Sequence, residues 1–268
     1  MLRCLSLGLL ICSMAAAADH NRLTPEEKAA GWRLLFDGHS LAGWVDPSQF
    51  DPPGNGWSVE DGCIRARAHP AIFEDLFTRD TFDDFELTFE WRISPRGNSG
   101  VKYRIQDHVF LRDEPAKRFE DLVNRSLEHR PTGRPARGQD YVIGFEYQLI
   151  DNHGHPDALT GPLHTTGALY DMVPPSRDAE RPVGEFNQSR LVVKGDHVEH
   201  WLNGVKVVDT SLRASQITEH LAKRWGAGSP VERLLGQQPR RACPISLQNH
   251  GDDAWFRDIK IRRTPGAR

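Results

Sequence analysis

Polar side chains able to exchange protons or orient a ligand alternate with apolar residues in three segments predicted as strands. In residues 101–106 and 145–150 the apolar side chains share one face, because successive side chains of a strand point to opposite sides. A third such segment covers residues 245–250. Together these faces offer two groups able to act as acid or base, two cations and two amides, although a solvated sheet face has the same pattern. Their polar members are Lys102, Arg104, Glu146, Gln148, Gln248 and His250.

A second group of candidate residues follows the 145–150 segment directly. Asp151, His153, His155 and Asp157 alternate within one loop, and carboxylate and imidazole groups are ligands for divalent metals. A divalent metal is therefore the cofactor for which the sequence offers ligands. The alternative is a turn stabilised by Asp side chains next to a proline, which the same residues fit well.

Four further residues, together with Asp151, are predicted to contact a ligand. Tyr170 and Trp201 have flat rings on which a sugar could stack, while Arg190 and Asn187 could donate hydrogen bonds, and Asp151 could accept them. The alternatives are a core position for Trp201 and ordinary surface hydrogen bonding for Arg190 and Asn187.

The elements that must position these side chains are short β-strands. The clearest is Phe85–Ile93, in which every second residue is apolar and every residue between is polar. Turns at residues 194–196 and 202–205 place Gly where hairpins need positive φ, so residues 190–209 are predicted as a three-stranded meander. Further strands are expected at 167–172 and 255–261, and a short helix at 25–30, where Thr-Pro-Glu-Glu begins. The fold class is all-β.

Two segments interrupt this pattern. Residues 107–140 are charged and contain a helix-like stretch at 117–128, and residues 213–240 begin with a helix-like run through Trp225. Both are predicted as insertions into a single domain covering residues 19–268. Long connections of this kind often serve as binding loops, and an ornamental surface insertion is the alternative.

The N-terminus predicts export. A positive residue, an apolar stretch and a run of alanines in residues 1–18 follow the order of a secretory signal peptide. We therefore expect a periplasmic or secreted protein without a membrane span, since no later segment has about 20 consecutive apolar residues. Removal of the leader leaves Cys63 and Cys243, which either form a disulfide or remain as two buried thiols. A net charge of −3 with interspersed signs argues against a nucleic-acid partner.

Several phrases of the sequence resemble the 3-keto-disaccharide hydrolase family, catalogued earlier as a domain of unknown function. Each phrase alone is common, but their number and order cover nearly the whole chain after the leader. The matching phrases are residues 31–38, 41–44, 98–104, 146–151, 155–158, 184–208, 247–251 and 255–260.

The resemblance implies a two-sheet antiparallel jelly-roll sandwich, similar to concanavalin A-like lectins and glucanases, with short helical insertions. It also implies a glycoside substrate with a ketone at C3, made by a separate sugar 3-oxidoreductase. Glucanases of this fold carry Glu, Asp and Glu at alternating positions of one strand, whereas this chain has Gln148 at the middle position. A non-catalytic, lectin-like carbohydrate-binding module is the alternative function, because fold does not determine function.

A 3-keto-glycoside can be cleaved without paired carboxylates, because the ketone acidifies the hydrogen on C2. A base removes that proton, the leaving group departs from C1, and water adds back. Glu146 or His250 is the candidate base or acid, and Lys102 with Arg104 the candidate electrophilic pair. Direct hydrolysis is the alternative reaction.

Overall fold

Two β-sheets face each other across one hydrophobic core in the computed structural model, which describes residues 20–46, 55–111 and 137–264. The strands are β1 (Arg33–Leu34), β2 (Trp44–Val45), β3 (Trp57–Glu60), β4 (Cys63–Ala66), β5 (Ile72–Phe73), β6 (Leu76–Thr78), β7 (Phe85–Ile93), β8 (Asn98–Leu111), β9 (Gly138–Ile150), β10 (Asn187–Lys194), β11 (His197–Leu202), β12 (Val205–Ser211), β13 (Ser246–Leu247) and β14 (Ala254–Arg263). The helices are α1 (Pro25–Ala29), α2 (Ser215–Trp225) and α3 (Pro230–Gln237), and two 3₁₀ turns cover Ala158–Thr160 and Pro162–His164.

The sheets are almost entirely antiparallel. The eight-stranded sheet has the order β12-β11-β10-β7-β14-β4-β3, with β1 paired to β14. The six-stranded sheet has the order β2-β6-β13-β8-β9-β5, in which β5 runs parallel to β9. The predicted all-β antiparallel jelly-roll sandwich is confirmed.

The core forms from the alternating apolar residues of the long strands. In β7, Phe85, Leu87 and Phe89 are buried, and Tyr103 of β8 and Tyr147 of β9 approach them from the opposite sheet. Each buried side chain of this size contributes about 1.5–3 kcal/mol relative to exposure. Period-two alternation therefore fixes which face of each strand is left for polar residues.

The predicted element limits are met in part. Strand β7 and the meander β10–β12 form as predicted, and the hairpin residues Gly195, Asn203 and Gly204 have positive φ. The predicted strand at 167–172 is wrong, because only isolated bridges form there, at Leu169. Helix α1 confirms the predicted N-terminal helix, and its capping box joins Thr24 and Glu27.

The first predicted insertion is shorter than expected. Strand β8 continues to Leu111 and β9 already begins at Gly138, so both ends of the 107–140 segment belong to the six-stranded sheet. The predicted helical stretch at 117–128 lies outside the described residues, as does the predicted leader at residues 1–18.

The second predicted insertion folds into two helices packed on the six-stranded sheet. Helix α2 buries Ile217, Leu221 and Trp225, which recur every four residues and so share one face. Helix α3 begins at Pro230 after the N-cap Ser229, whose side chain accepts the backbone N–H of Glu232. None of the helices among the described residues is both long and apolar enough to cross a membrane.

The candidate disulfide between Cys63 and Cys243 does not form. Both thiols are free and buried. Cys63 lies in β4 of the eight-stranded sheet near the Asp61 carbonyl, whereas Cys243 precedes β13 and donates to the Arg240 carbonyl at 3.2 Å. The alternative of two buried thiols is therefore the correct one.

Candidate active site

A row of polar side chains crosses the outer face of the six-stranded sheet. Ser246 of β13 is paired with Lys102 of β8, and Lys102 is paired with Glu146 of β9. The neighbouring residues Val101 and Tyr147 point into the core. The polar faces predicted from strand alternation thus meet on one surface, as expected for residues in register.

Lys102 carries a buried positive charge at the centre of this row. Its ammonium lies 3.4 Å from Asp75 Oδ2, and Ser246 donates its hydroxyl to the same oxygen at 2.9 Å. Burial alone would lower the pKa of Lys102, but the charges of Asp75 and Glu146 outweigh it and raise the pKa above its ordinary value. Lys102 is therefore a cation at neutral pH.

Two amides orient the carboxylate of Glu146. With the amides placed according to their hydrogen-bonding partners, Gln148 and Gln248 both donate to Glu146 Oε1, at 3.1 and 3.2 Å. The oxygen of Gln248 accepts from Lys102 Nζ at 3.1 Å, so this residue links the carboxylate to the cation. Neither amide bonds Glu146 Oε2.

Glu146 is held in a setting suited to proton transfer near neutral pH. Desolvation raises its pKa to about 7, against the opposing charge of Lys102. A carboxyl with such a pKa is a stronger base than an ordinary glutamate and is still ionised in part at neutral pH. This combination is typical of a catalytic acid or base.

A cavity of about 380 Å³, counting its opening to solvent, lies over Lys102 and Glu146. Helices α2 and α3 close one side, so the insertion at 213–240 contributes to the site. The other lining residues are Tyr141, Val142, Ile143, Gly144, Tyr170, Met172, Arg224, Trp225 and Leu235.

Arg224 brings a second cation to the cavity from helix α2. Its guanidinium lies 2.5 Å from Asp171 Oδ2 and about 5.0 Å from the ring centres of Tyr170 and Trp225. These contacts hold the side chain in place through charge pairing and cation–π attraction.

Tyr170, predicted as a sugar-stacking residue, lines the same cavity. Its hydroxyl donates to Asp157 Oδ2 at 2.9 Å, and the ring of His164 stacks on it at 5.0 Å. His164 stacks on this ring, the Arg224 guanidinium lies over it and its hydroxyl is bonded to Asp157, so sugar stacking on Tyr170 stays a prediction for a residue that lines the cavity.

His250 follows the row at the end of the β13 segment. The residue as a whole is exposed, but its ring lies against other protein groups, with its centre 6.2 Å from that of the His155 ring. Desolvation, Lys102 and His155 all lower the pKa of His250. The structure therefore places His250 beside the row of Lys102 and Glu146 but outside the residues that line the cavity.

Arg104 does not join Lys102, and its predicted role as half of an electrophilic pair is corrected. The residue has φ of 50° at a break in register between Tyr103 and Asp107, which turns its side chain away from the row. Its guanidinium is 1 % exposed and bonds Asp83 and the carbonyls of Gly195 and Arg241. Arg104 thus joins separate segments of the fold.

Three predicted ligand contacts lie on the other sheet. Arg190 pairs with Glu86 and covers the ring of Trp201 on the outer face of the eight-stranded sheet. Asn187 is buried and accepts the backbone N–H of Arg181 and the amide of Asn203. Trp201, Arg190 and Asn187 are therefore corrected to structural positions, because β10 and β11 belong to the sheet opposite the cavity.

Asp151, predicted as a substrate or metal ligand, caps its own loop instead. Its carboxylate accepts the backbone N–H groups of Arg96, His153 and Gly154 at 2.8–3.0 Å. The alternative of an Asp-stabilised turn is the correct one for this residue. The four metal candidates also diverge: His153 is 83 % exposed toward Glu180, His155 meets His250, and Asp157 bonds Tyr170.

Sequence reasoning missed Asp75 and Arg224 and did not include Tyr141. Asp75 precedes the short strand β6, whose neighbours cannot be read from its own pattern. Arg224 lies in the predicted helix, where an Arg next to an apolar stripe resembles any surface charge. For Asp75 and Arg224 alike, the available sequence signal was a charged residue next to a stretch of apolar residues.

Comparison with known families places the chain. The sequence model of the 3-keto-alpha-glucoside-1,2-lyase-like domain family matches residues 31–262. A curated 3-keto-disaccharide hydrolase from Bacteroides thetaiotaomicron is 30% identical over 260 residues, which cover 92% of this chain and 83% of that protein.

Solved structures agree with the fold. A candidate glycosyl hydrolase from Parabacteroides distasonis has a TM-score of 0.69 at 28% identity, and the match covers 92% of this chain and all (100%) of that one. A second candidate glycosyl hydrolase from the same organism has a TM-score of 0.55 at 24% identity, with coverage of 87% and 99%.

Proposed function

The chain belongs to the 3-keto-alpha-glucoside-1,2-lyase-like family, and from that premise we propose that it cleaves 3-keto-glycosides by elimination across C1 and C2, followed by hydration. Similarity to a 3-keto-disaccharide hydrolase supports a carbohydrate-active, glycoside-acting enzyme. The proposal of elimination and hydration rests on one observation: the oriented carboxylate of Glu146 lies beside the buried cation of Lys102.

Glu146 is the base in this proposal. Oε2 takes the proton from C2, and the electrons of the C2–H bond move to the ketone oxygen to give an enolate. The enolate re-forms the C3 carbonyl, creates a double bond between C1 and C2, and expels the glycosidic oxygen. Water then adds at C1 while a proton returns to C2, which completes a net hydrolysis.

Lys102 stabilises the charge that develops on the ketone oxygen. Its ammonium is fixed by Asp75 and by the oxygen of Gln248, so it needs little reorganisation when the enolate forms. A preorganised donor of this kind typically contributes a factor of about 10²–10³ in rate.

The leaving oxygen needs a proton. After the first step Glu146 carries one and can deliver it when H2 and the leaving group lie on the same face of the sugar. Tyr170 brings a second O–H group to the cavity, but that hydroxyl donates to Asp157 Oδ2 and burial raises its pKa, which makes it a poor proton donor. Glu146 therefore serves as base and then as acid in this proposal, which requires H2 and the leaving group on the same face of the sugar.

Conventional glycoside hydrolysis fits this cavity poorly. That reaction normally uses two cooperating carboxyl groups about 5–9.5 Å apart. Among the described residues lining the cavity, Glu146 is the only carboxylate, and nearby Asp75 is already bonded to Lys102 and Ser246.

The test is release of reducing sugar from a 3-keto-disaccharide by the wild-type protein and by Glu146→Gln. We expect the variant to lose about 10²–10⁴-fold in kcat, whereas Glu90→Gln, on the opposite sheet and paired with Arg257, keeps full activity. Full activity of Glu146→Gln would overturn the assignment. Saturable binding by the wild type without any product would instead identify a lectin-like module.

The cellular setting belongs to the proposal as well. A separate sugar 3-oxidoreductase must supply the ketone, and the leader at residues 1–18 would direct the enzyme to the periplasm or outside the cell. Fractionation of the source cells with N-terminal sequencing tests the location, since a chain that keeps residues 1–18 in the cytoplasm contradicts it.

A further inference from the structure

Three potential metal ligands converge beside the row of Lys102 and Glu146. His155 comes from the loop after β9, while His250 and Asp252 come from the loop between β13 and β14. One ligand atom from each lies within 4.8 Å of the other two. Residues distant in sequence are thus brought together by the pairing of β8 with β9 and β13.

We propose that His155, His250 and Asp252 bind a divalent transition-metal ion such as Zn²⁺ or Co²⁺. Two imidazoles and one carboxylate form a ligand set that these ions favour, whereas Mg²⁺ and Ca²⁺ prefer oxygen alone. Three protein ligands leave further coordination positions open.

Three other groups of potential ligands among the described residues are less suited. Each has a single imidazole: His20, Glu90 and Asp258; His153, Asp178 and Glu180; and His197, Glu199 and Asp209. His20 is already paired with Asp258 at 2.5 Å, and the ammonium of Lys206 occupies the last group. The group at His153 is largely exposed.

The backbone partly prepares the site. Asp252 Oδ2 accepts the N–H of Asn98 at 3.1 Å, which fixes the carboxylate and leaves Oδ1 for an ion. His155 Nδ1 accepts the N–H of Asp157 at 3.1 Å, which places the ring proton on Nε2. Binding through Nε2 requires the tautomer with the proton on Nδ1, which can no longer accept the N–H of Asp157, and the loss of this bond weakens affinity by roughly fivefold.

The ion would lie close to the sugar. Asn98, which holds Asp252, lies two residues before Gly100, about 7 Å along β8, and a side chain on Gly100 would touch Glu146. Gln248, two residues before His250, bonds both Glu146 and Lys102. This second step rests on the proposed function: an open position of the ion would bind an oxygen of the substrate and polarise it.

The test is calorimetric titration of the full-length, EDTA-dialysed protein with Zn²⁺ and with Co²⁺, together with the visible spectrum of the Co²⁺ complex. We expect one ion per chain. Asp252→Asn and His155→Gln should weaken binding by about 10–100-fold, whereas the matched control His153→Gln, at an exposed position, should leave it unchanged. Thermal unfolding of each variant without metal verifies its fold.

Absence of stoichiometric binding by the wild type, or equal losses in His153→Gln and Asp252→Asn, would overturn the site. Activity separates the second step from the first. If the metal binds but chelation does not change the rate of cleavage, the metal site stands and its contact with the substrate is refuted. If the metal binds to a protein that cleaves no 3-keto-glycoside, only the proposed function is refuted.

Discussion

Replacing Gly100 by alanine should disable Glu146 without unfolding the protein. Gly100 lies on β8 next to Lys102, and a Cβ atom built there falls 2.4 Å from Glu146 Oε1, 2.9 Å from Cδ and 3.0 Å from Cγ. Real Cβ contacts are not this short, so the carboxylate must move by about half an ångström or more. That movement breaks its alignment with Gln148 and Gln248.

The magnitude follows from the geometry. A misplacement of about 1 Å can cost 10²-fold in rate, so we expect kcat/KM of Gly100→Ala to fall by about 10–100-fold. Gly100 does not have a positive φ, and the clashing atoms belong to the far end of a flexible side chain. The free energy of unfolding should therefore change by no more than about 1 kcal/mol.

The assay pairs steady-state cleavage of a 3-keto-disaccharide with urea unfolding. Gly236→Ala in helix α3 is the control, because its added Cβ meets only the end of Glu232 at 3.8 Å and its φ is not positive. We expect unchanged activity for that control. A Gly100→Ala protein with wild-type kcat/KM would refute the assigned position and role of Glu146.

Three further predictions concern charge and redox state. Because burial raises the pKa of Glu146 to about 7, kcat/KM should increase with pH through that value as the base form appears. Between pH 4.5 and 7 the folded state then binds more protons than the unfolded state. The free energy of unfolding therefore falls as pH rises through this window, by up to about 3 kcal/mol. Urea unfolding at pH 5 and at pH 8 should show this fall in the wild type and a smaller one in Glu146→Gln. Arg104→Met should lower the free energy of unfolding by about 3–5 kcal/mol while kcat of the folded fraction stays within about threefold, and a loss confined to kcat would contradict its structural role. Reduction with dithiothreitol should leave the melting temperature unchanged, since Cys63 and Cys243 are free, and a lower melting temperature would contradict this.

Strand alternation was enough to predict the central part of the site. Lys102, Glu146, Gln148 and Gln248 occupy every second position of their segments, and antiparallel pairing in register then brings them to one face. The same rule failed at Arg104, because a break in register and a positive φ interrupt the alternation after Tyr103. A bulge of this kind leaves no clear mark in the sequence.

The remaining parts of the site depend on long-range packing. Periodicity identified β10 and β11 as strands but could not assign them to a sheet, so Arg190 and Trp201 were placed at the wrong surface. Asp75, just before the short strand β6, contacts Lys102, and Arg224 of helix α2 lines the cavity. The positions of β6 and α2 depend on tertiary contacts that the sequence pattern does not reveal. Conversely, His155 and His250 were both identified, but their meeting depends on how two loops pack.

Removal of the C2 proton by the enzyme is the central claim, and cleavage of a 3-keto-disaccharide in D₂O tests it most directly. Elimination and hydration predict about one deuterium at C2 of the released 3-keto sugar, measured by mass spectrometry and NMR at early times and corrected for exchange without enzyme. Substrate deuterated at C2 should also react more slowly. Product formed at the same rate with no deuterium at C2 beyond the enzyme-free exchange would contradict the account and indicate direct hydrolysis.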